Sequence, residues 1–167
     1  MTLRLILTRH AKSDWDDPLQ SDHQRGLNPR GQRAAPLIGR WLADRGYLPQ
    51  AALVSDATRT QQTWALLSAE LPQTVPVRFE PALYHASPDT ILQVLRNAEA
   101  QTVIMIGHNP GIAAFADLIL RAKPAHADFP RYPTCATLIA EFPGPHWADI
   151  TPGTAKLRDF IVPRDLE

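Results

Sequence analysis

Leu3-Arg4-Leu5-Ile6-Leu7-Thr8-Arg9-His10 is the stretch on which the reading of this chain turns. A strand buried on both faces of a parallel sheet is a near-continuous aliphatic run, and Leu3 to Leu7 fits apart from Arg4. The first polar residues past such a strand emerge at its carboxyl end, where open α/β sheets bind ligands. Here they are Arg9 and His10, followed by Ala11-Lys12-Ser13. A guanidinium at that place can grip an anion with a planar fork of donors, and a neighbouring imidazole can act as nucleophile or base near neutral pH. An Arg-His pair by itself is commonplace, so its meaning depends on what the other strands carry to the same edge.

The rest of the chain alternates strands and helices. After the strand Leu3–Thr8, a polar loop over 11–28 contains Asp14, Asp16, Asp17, Pro18, Asp22 and His23. Pro29 suits the first turn of a helix with Ala34, Leu37, Ile38, Trp41 and Leu42 on its apolar face, and Gly46 is placed to end it. Ala51–Val54 reads as a short strand. Ser55-Asp56 can cap a helix from about Ala57 to Leu71. Val75–Glu80 reads as another strand, and Ser87-Pro88-Asp89 opens a helix bearing Ile91, Leu92 and Leu95. Thr102–Ile106 is the clearest strand, and Asn109-Pro110-Gly111 starts a helix through Ile112, Phe115, Ala116, Ile119 and Leu120. Ala136–Phe142 and Leu157–Val162 read as late strands, the last at an edge. Such alternation predicts an α/β fold: a mostly parallel central sheet in a three-layer α/β/α sandwich.

Three of these strands end in related chemistry. The first ends in Arg9-His10, the second in Ser55-Asp56-Ala57-Thr58-Arg59, and the Thr102 strand in Gly107-His108-Asn109-Pro110-Gly111. In a parallel sheet all three carboxyl ends lie on one edge, so two arginines and two histidines can converge there. Helix N-termini on the same edge add backbone N–H groups and positive dipole ends. Taken singly, Arg59 reads as a solvated helix arginine and His108 as a turn residue. Together they read as a phosphate site.

The 167 residues suit one domain spanning 1–167. The chain is 44% hydrophobic, which supplies a core, and 20% charged with no net charge, so it carries no basic footprint for nucleic acid. Its 16 prolines form no linker-like run. A lone Cys135 cannot form an internal disulfide, which fits a reducing compartment. No apolar run is long enough to span a bilayer, and the N-terminus lacks the pattern of a signal peptide. The expectation is a cytoplasmic protein. No internal repeat is evident.

Several of these segments resemble the histidine phosphatase superfamily, whose fold is phosphoglycerate-mutase-like, and within it the SixA-like phosphohistidine phosphatases. The resembling pieces are Thr8–Ser13, Arg25-Gly26-Leu27-Asn28-Pro29-Arg30-Gly31, Val54–Thr63, Leu83-Tyr84-His85-Ala86-Ser87 and Ile106–Gly111. The resemblance implies that His10 is a phosphorylated nucleophile, with Arg9, Arg59 and His108 binding the phosphoryl group. Ser13, Asn109, Glu80 and His85 are further candidates for the site. Phosphoryl transfer is mostly positioning and charge stabilisation. Cationic side chains can supply both, so no metal or other cofactor is expected. None of the six histidines is paired at short metal-ligand spacing.

The general acid departs from the family pattern. Larger relatives carry a glutamate where this chain has Ala82, in Pro81-Ala82-Leu83-Tyr84. Glu80, on the same side of an extended strand, His85, and the loop acids Asp14, Asp16, Asp17 and Asp22 are the alternatives. An alkoxide leaving group needs a proton donor, whereas imidazole leaves more readily, so the expected substrate link is an N–P bond. The short segment between Tyr84 and the Thr102 strand has no room for a large capping insertion, which predicts an open site suited to a phosphorylated protein partner. The alternatives are a small-molecule phosphomonoesterase of the same superfamily, or a phospho-ligand binding module without turnover. A mere anion binder, however, has no need of a nucleophilic imidazole. Trp15 either contacts a partner or packs on its own domain. Trp64 is expected in the core, and Cys135 in a strand, buried or half-buried and without catalytic role. The oligomeric state is not legible.

Overall fold

In the computed structural model, which describes residues 1–167, six strands form one sheet in the order β3-β2-β4-β1-β5-β6. The strands are β1 (Thr2–Arg9), β2 (Ala51–Ser55), β3 (Val77–Glu80), β4 (Thr102–Gly107), β5 (Thr137–Pro143) and β6 (Lys156–Ile161). The helices are α1 (Pro29–Arg45), α2 (Thr58–Ser68), α3 (Pro88–Arg96) and α4 (Gly111–Ile119). Strands β3, β2, β4 and β1 are mutually parallel, and β5 pairs antiparallel with both β1 and β6. The three-layer, mostly parallel sandwich is therefore present, with β6 at one edge.

Alternation along the inner strands builds two cores. Leu3, Leu5 and Leu7 face α3 and α4 together with Leu53, Val103, Met105, Phe115 and Phe142. Ile6 faces α1 and α2 with Val54, Ile104, Ile106, Ile38 and Trp64. Arg4, the exception in the first strand, lies opposite Glu141 in the β1–β5 register, and its Nη2 sits 2.9 Å from the Glu141 carboxylate. The charge is therefore paired across the strands rather than buried alone.

Local signals behave as their chemistry predicts at most helix ends. Asn28 caps α1 by accepting from the Gly31 N–H, Pro29 takes the first turn, and Gly46 ends the helix at a φ of 73°. Ser87 caps α3 by accepting from the Thr90 N–H. One cap differs from expectation. Helix α2 begins at Thr58 after Ala57, without a side-chain cap, because the Ser55 hydroxyl is engaged with His108. Asn109 does not cap α4, since its amide bonds the Arg131 and Tyr132 carbonyls. Helix α2 also stops at Ser68 rather than Leu71, and β3 begins after Pro76, not at Val75.

Gly31 is where α1 crosses the chain just beyond His10. A Cβ there would collide with the Lys12 carbonyl, which is fixed backbone. Gly31→Ala is expected to lower stability by about 2 kcal/mol or more, the usual scale of overpacking without an escape route. Thermal denaturation reads it; an unchanged midpoint would show that the 11–13 segment yields freely.

Candidate active site

The sheet order sets the three functional strand ends side by side, β2 next to β4 and β4 next to β1. Strand β1 ends at Arg9, opposite Gly107 of β4, so His10 and His108 leave neighbouring strands at the same level. Their ring centroids are 5.3 Å apart, and both residues are buried, at 6% and 3% exposure. Arg59, on the first turn of α2 beyond β2, is equally buried.

His10 Nδ1 lies 2.7 Å from the Ala11 carbonyl. A carbonyl accepts only, so Nδ1 carries the proton and Nε2 keeps its lone pair. Burial pushes the His10 imidazolium down to about 3, the Ala11 carbonyl opposes this, and the Arg9, Arg59 and Arg25 cations lower it further. His10 is therefore a neutral ring with one free nucleophilic nitrogen at physiological pH.

His108 is also held neutral, at about 2, by burial first and then by His10, Arg59 and His85. Its Nε2 lies 2.8 Å from Ser55 Oγ, and that oxygen also accepts from the Ala57 N–H at 3.4 Å. A hydroxyl that accepts there can donate to Nε2, which leaves the proton of His108 on Nδ1. That nitrogen is buried without a partner in the protein. His108 can thus present an N–H donor while uncharged.

The guanidiniums complete the cluster, and there are three of them. Arg9 donates through Nη1 to the Tyr132 carbonyl at 3.2 Å, while burial and the nearby Arg59 cation lower its affinity for a proton. Arg59 donates to the Asp22 carbonyl oxygen at 2.7 Å and to Asp22 Oδ2 at 3.1 Å. Arg25 donates to Ser13 Oγ at 2.6 Å and to Asp22 Oδ1 at 2.7 Å. The Nε atoms of all three are buried and unpartnered. Arg59 and Arg25 share the Asp22 carboxylate while Arg9 has no carboxylate partner, and the free buried donors call for an acceptor with several oxygens. A phosphoryl group meets that need. No group of three or more histidine, cysteine, aspartate or glutamate side chains is arranged to hold a metal ion.

Around this cluster, Asp22 is a hub. Besides the two arginines it accepts from Tyr84 Oη at 2.5 Å and lies 3.0 Å from His85 Nε2. Partial burial alone would raise its carboxyl, but the Tyr84, His85 and Arg59 contacts outweigh it and hold the group well below the usual carboxylate range. Asp22 is therefore an ionised anchor rather than a proton donor. Among the other acids considered, Asp14 and Asp17 accept from the backbone N–H groups of Asp16 and Leu19, shaping the loop locally, and the exposed Asp16 joins no contact to the imidazoles. Glu80 is held by Arg78 at 2.6 Å. The chain turns into a 3-10 helix at Pro81–Leu83, so the extended geometry that would align Glu80 with Ala82 ends before Ala82.

Ser13 is in the cluster through Arg25, and Asn109 flanks it beside Tyr132. Arg25 and Tyr84 went unassigned at the sequence level, although both stand inside the resembling motifs; the loop that returns Arg25 to the site has no periodic pattern to reveal it. Trp15 is 72% exposed, with the Arg25 guanidinium stacked 3.6 Å from its ring centre. Trp64 is in the core. Cys135 is buried as expected, but in a turn rather than a strand. Its φ is 63° and its N–H bonds the Arg9 and His10 carbonyls, so it braces the end of β1 from outside the sheet ladder. Burial pushes its thiol up to about 12.

The neutral imidazoles imply a pH dependence of stability. Both rings bind a proton far more weakly in the folded chain than the usual value of 6.5. The unfolded state therefore binds more protons between roughly pH 6.5 and 3, and stability falls as pH drops through that window. The melting temperature is expected to decline from pH 7 to 5, and less so in His10→Asn. A flat profile would contradict buried neutral rings.

A sequence profile of the histidine phosphatase superfamily (branch 1) matches residues 5–87. An uncharacterized protein of Mycobacterium tuberculosis is 37% identical over 165 residues, which cover 93% of this chain and 99% of its own length. A structure of a candidate phosphohistidine phosphatase SixA from Nakamurella multipartitia is 32% identical, with a TM-score of 0.80 over 98% of this chain and 97% of that one. Another, from Agrobacterium tumefaciens, is 29% identical, with a TM-score of 0.82 over 96% and 97% of the two chains. The likeness extends over nearly the whole length of each protein and carries the phosphoglycerate-mutase-like fold with it. The paired imidazoles and clustered guanidiniums at the strand ends, and the sequence around them, agree on one assignment: the chain belongs to the histidine phosphatase superfamily, on its SixA-like branch, and is a histidine-type phosphatase.

Proposed function

We propose that this phosphatase removes the phosphoryl group from phosphohistidine on a protein partner, by way of a covalent phosphohistidine intermediate on His10. The observation that carries the reading is the convergence of three guanidiniums on a neutral imidazole whose Nδ1 is already committed to the Ala11 carbonyl. Nε2 of His10 attacks phosphorus. Arg9, Arg59 and Arg25 supply cationic donors and His108 an uncharged one, so charge on the equatorial oxygens is met by preset groups. Water then hydrolyses phospho-His10, whose ring departs as neutral imidazole because Nδ1 has kept its proton throughout.

Two features support phosphohistidine over a small phosphate ester. Ala82 is exposed and apolar where an acid would serve an alkoxide. Between Tyr84 and β4 the only helix is α3, so no inserted subdomain lies over the strand ends and a protein surface can approach them. Steady-state turnover on a phosphohistidine peptide, an aryl phosphate and an alkyl phosphate tests the preference. The peptide is expected to react fastest and the alkyl ester slowest, by about 100-fold or more, the scale of a missing proton donor. An alkyl ester cleaved as fast as the peptide would sink the reading.

A further inference from the structure

We propose that His85 protonates the leaving imidazole of the substrate, at the ring nitrogen remote from phosphorus, with Asp22 as its positioning residue. This rests on the phosphohistidine reading above and deepens it.

The argument starts from the leaving group. A phosphoryl group sits on one nitrogen of the substrate ring. If the other nitrogen carries no proton, breaking the P–N bond expels an imidazolate anion; if it carries one, the ring leaves neutral. On its own side the protein has solved this problem permanently, because Ala11 holds the remote Nδ1–H of His10. On the substrate side the proton must come from a donor placed one ring-width beyond the bond that breaks. Such a donor belongs farther out than an acid serving an ester oxygen.

His85 is placed in that way. Its ring stacks beside that of His108 with centroids 5.6 Å apart and planes at 22°, yet its side chain is 56% exposed, whereas His10 and His108 are buried. It therefore stands at the mouth of the site. The backbone holds it there at a φ of 52°, a left-handed conformation that costs energy for a residue with a Cβ. Asp22 Oδ2 lies 3.0 Å from His85 Nε2, and Tyr84 packs edge-on at 4.1 Å, so the ring is oriented from two sides. With Nε2–H given to Asp22, Nδ1 is the nitrogen left for the substrate. Asp22 is tied in turn to Arg59 and Arg25, which links the donor rigidly to the phosphate clamp.

The steps balance. The His10 Nε2 lone pair forms the new bond to phosphorus, and the P–N electron pair returns to the substrate ring. His85 enters the step as the imidazolium, with Nε2–H on Asp22 and a second proton on Nδ1. The Nδ1 proton moves to the remote nitrogen of the substrate ring, which departs as neutral imidazole and leaves His85 neutral. When water attacks phospho-His10, the P–Nε2 pair returns to His10 and the proton lost by water goes to His85 Nδ1, restoring the starting state.

Two small probes separate this role from a structural one: 1-phosphoimidazole, whose remote nitrogen needs a proton, and 1-phospho-3-methylimidazolium, whose remote nitrogen is already blocked and cationic. In His85→Asn, chosen because asparagine tolerates positive φ, kcat/KM on 1-phosphoimidazole is expected to fall about 100-fold. On the methylated probe it should stay within about 3-fold of the parent, which also shows that the variant is folded with its clamp intact. His85→Gln should behave alike. An equal loss on both probes, or no loss on either, would overturn the proposal. Failure of the parent protein on both probes, while it cleaves a phosphate ester, would instead overturn the phosphohistidine reading on which this one stands.

Discussion

His10→Ala is expected to lower kcat/KM by about 10⁴-fold or more, on the scale seen when a covalent nucleophile is removed. No neighbour can replace it. His108 presents its Ser55-bonded Nε2 and a protonated Nδ1, and the Cys135 thiol is fully buried in the turn behind β1, pushed up to about 12. The three guanidiniums do not depend on His10 for their contacts, since Arg9 is held by Tyr132, Arg25 by Ser13 and Asp22, and Arg59 by Asp22. Inorganic phosphate should therefore still bind the variant. The paired measurement is trapping of labelled phosphate after alkaline quench, where acid-labile label appears on the parent protein and not on the variant. Retained turnover in His10→Ala would remove the covalent mechanism, and retained turnover without any trapped label in the parent would do the same.

Arg59→Ala is expected to reduce kcat by about 10³-fold, the usual scale for losing a guanidinium or oxyanion donor at a transferring phosphoryl group. Its effect should exceed that of Arg9→Ala, because Arg59 has two tasks. It lies beside the His10 and His108 imidazoles, where the phosphoryl group is proposed to sit, and it also grips Asp22 through both the carbonyl oxygen and the carboxylate. Without Arg59, partial burial of the Asp22 carboxylate is opposed only by Tyr84, His85 and Arg25, and Asp22 loses its direct side-chain contact with α2, although the Thr58 N–H still holds the neighbouring His23 carbonyl. Arg59→Lys should recover little, since a point charge cannot span two acceptors on Asp22 and still offer a fork to the anion. The check is kcat for both variants together with the dissociation constant for inorganic phosphate. A lysine variant with near-parent activity would show that Arg59 contributes charge alone.

Much of this architecture is legible in one dimension because it depends on periodicity and on backbone-intrinsic residues. The aliphatic runs at Leu3–Leu7 and Thr102–Ile106 can be satisfied only inside a sheet covered on both faces, and both are central strands. Asn28-Pro29 and Gly46 mark α1 at either end for reasons local to the chain. The misplacements have long-range causes. Ser55 resembles a helix cap but is recruited by His108 from a neighbouring strand end, and the 132–135 turn is set by carbonyls of β1 that no sequence window contains.

The sequence by itself determined the fold class, the three strand ends and the Arg9, His10, Arg59 and His108 constellation. Each of these follows from residue type and spacing along one strand or one helix. Only the tertiary structure decided that Arg25 stands with Arg9 and Arg59 around His10, that Asp22 is an ionised anchor instead of an acid, and that His85 rather than Glu80 stands beside His108. Those three residues sit on aperiodic segments, where position is set by long-range contacts. The state of Asp22 depends on charges and donors from Tyr84, His85 and Arg59, which approach only when the sheet has brought β1, β2 and β4 into line.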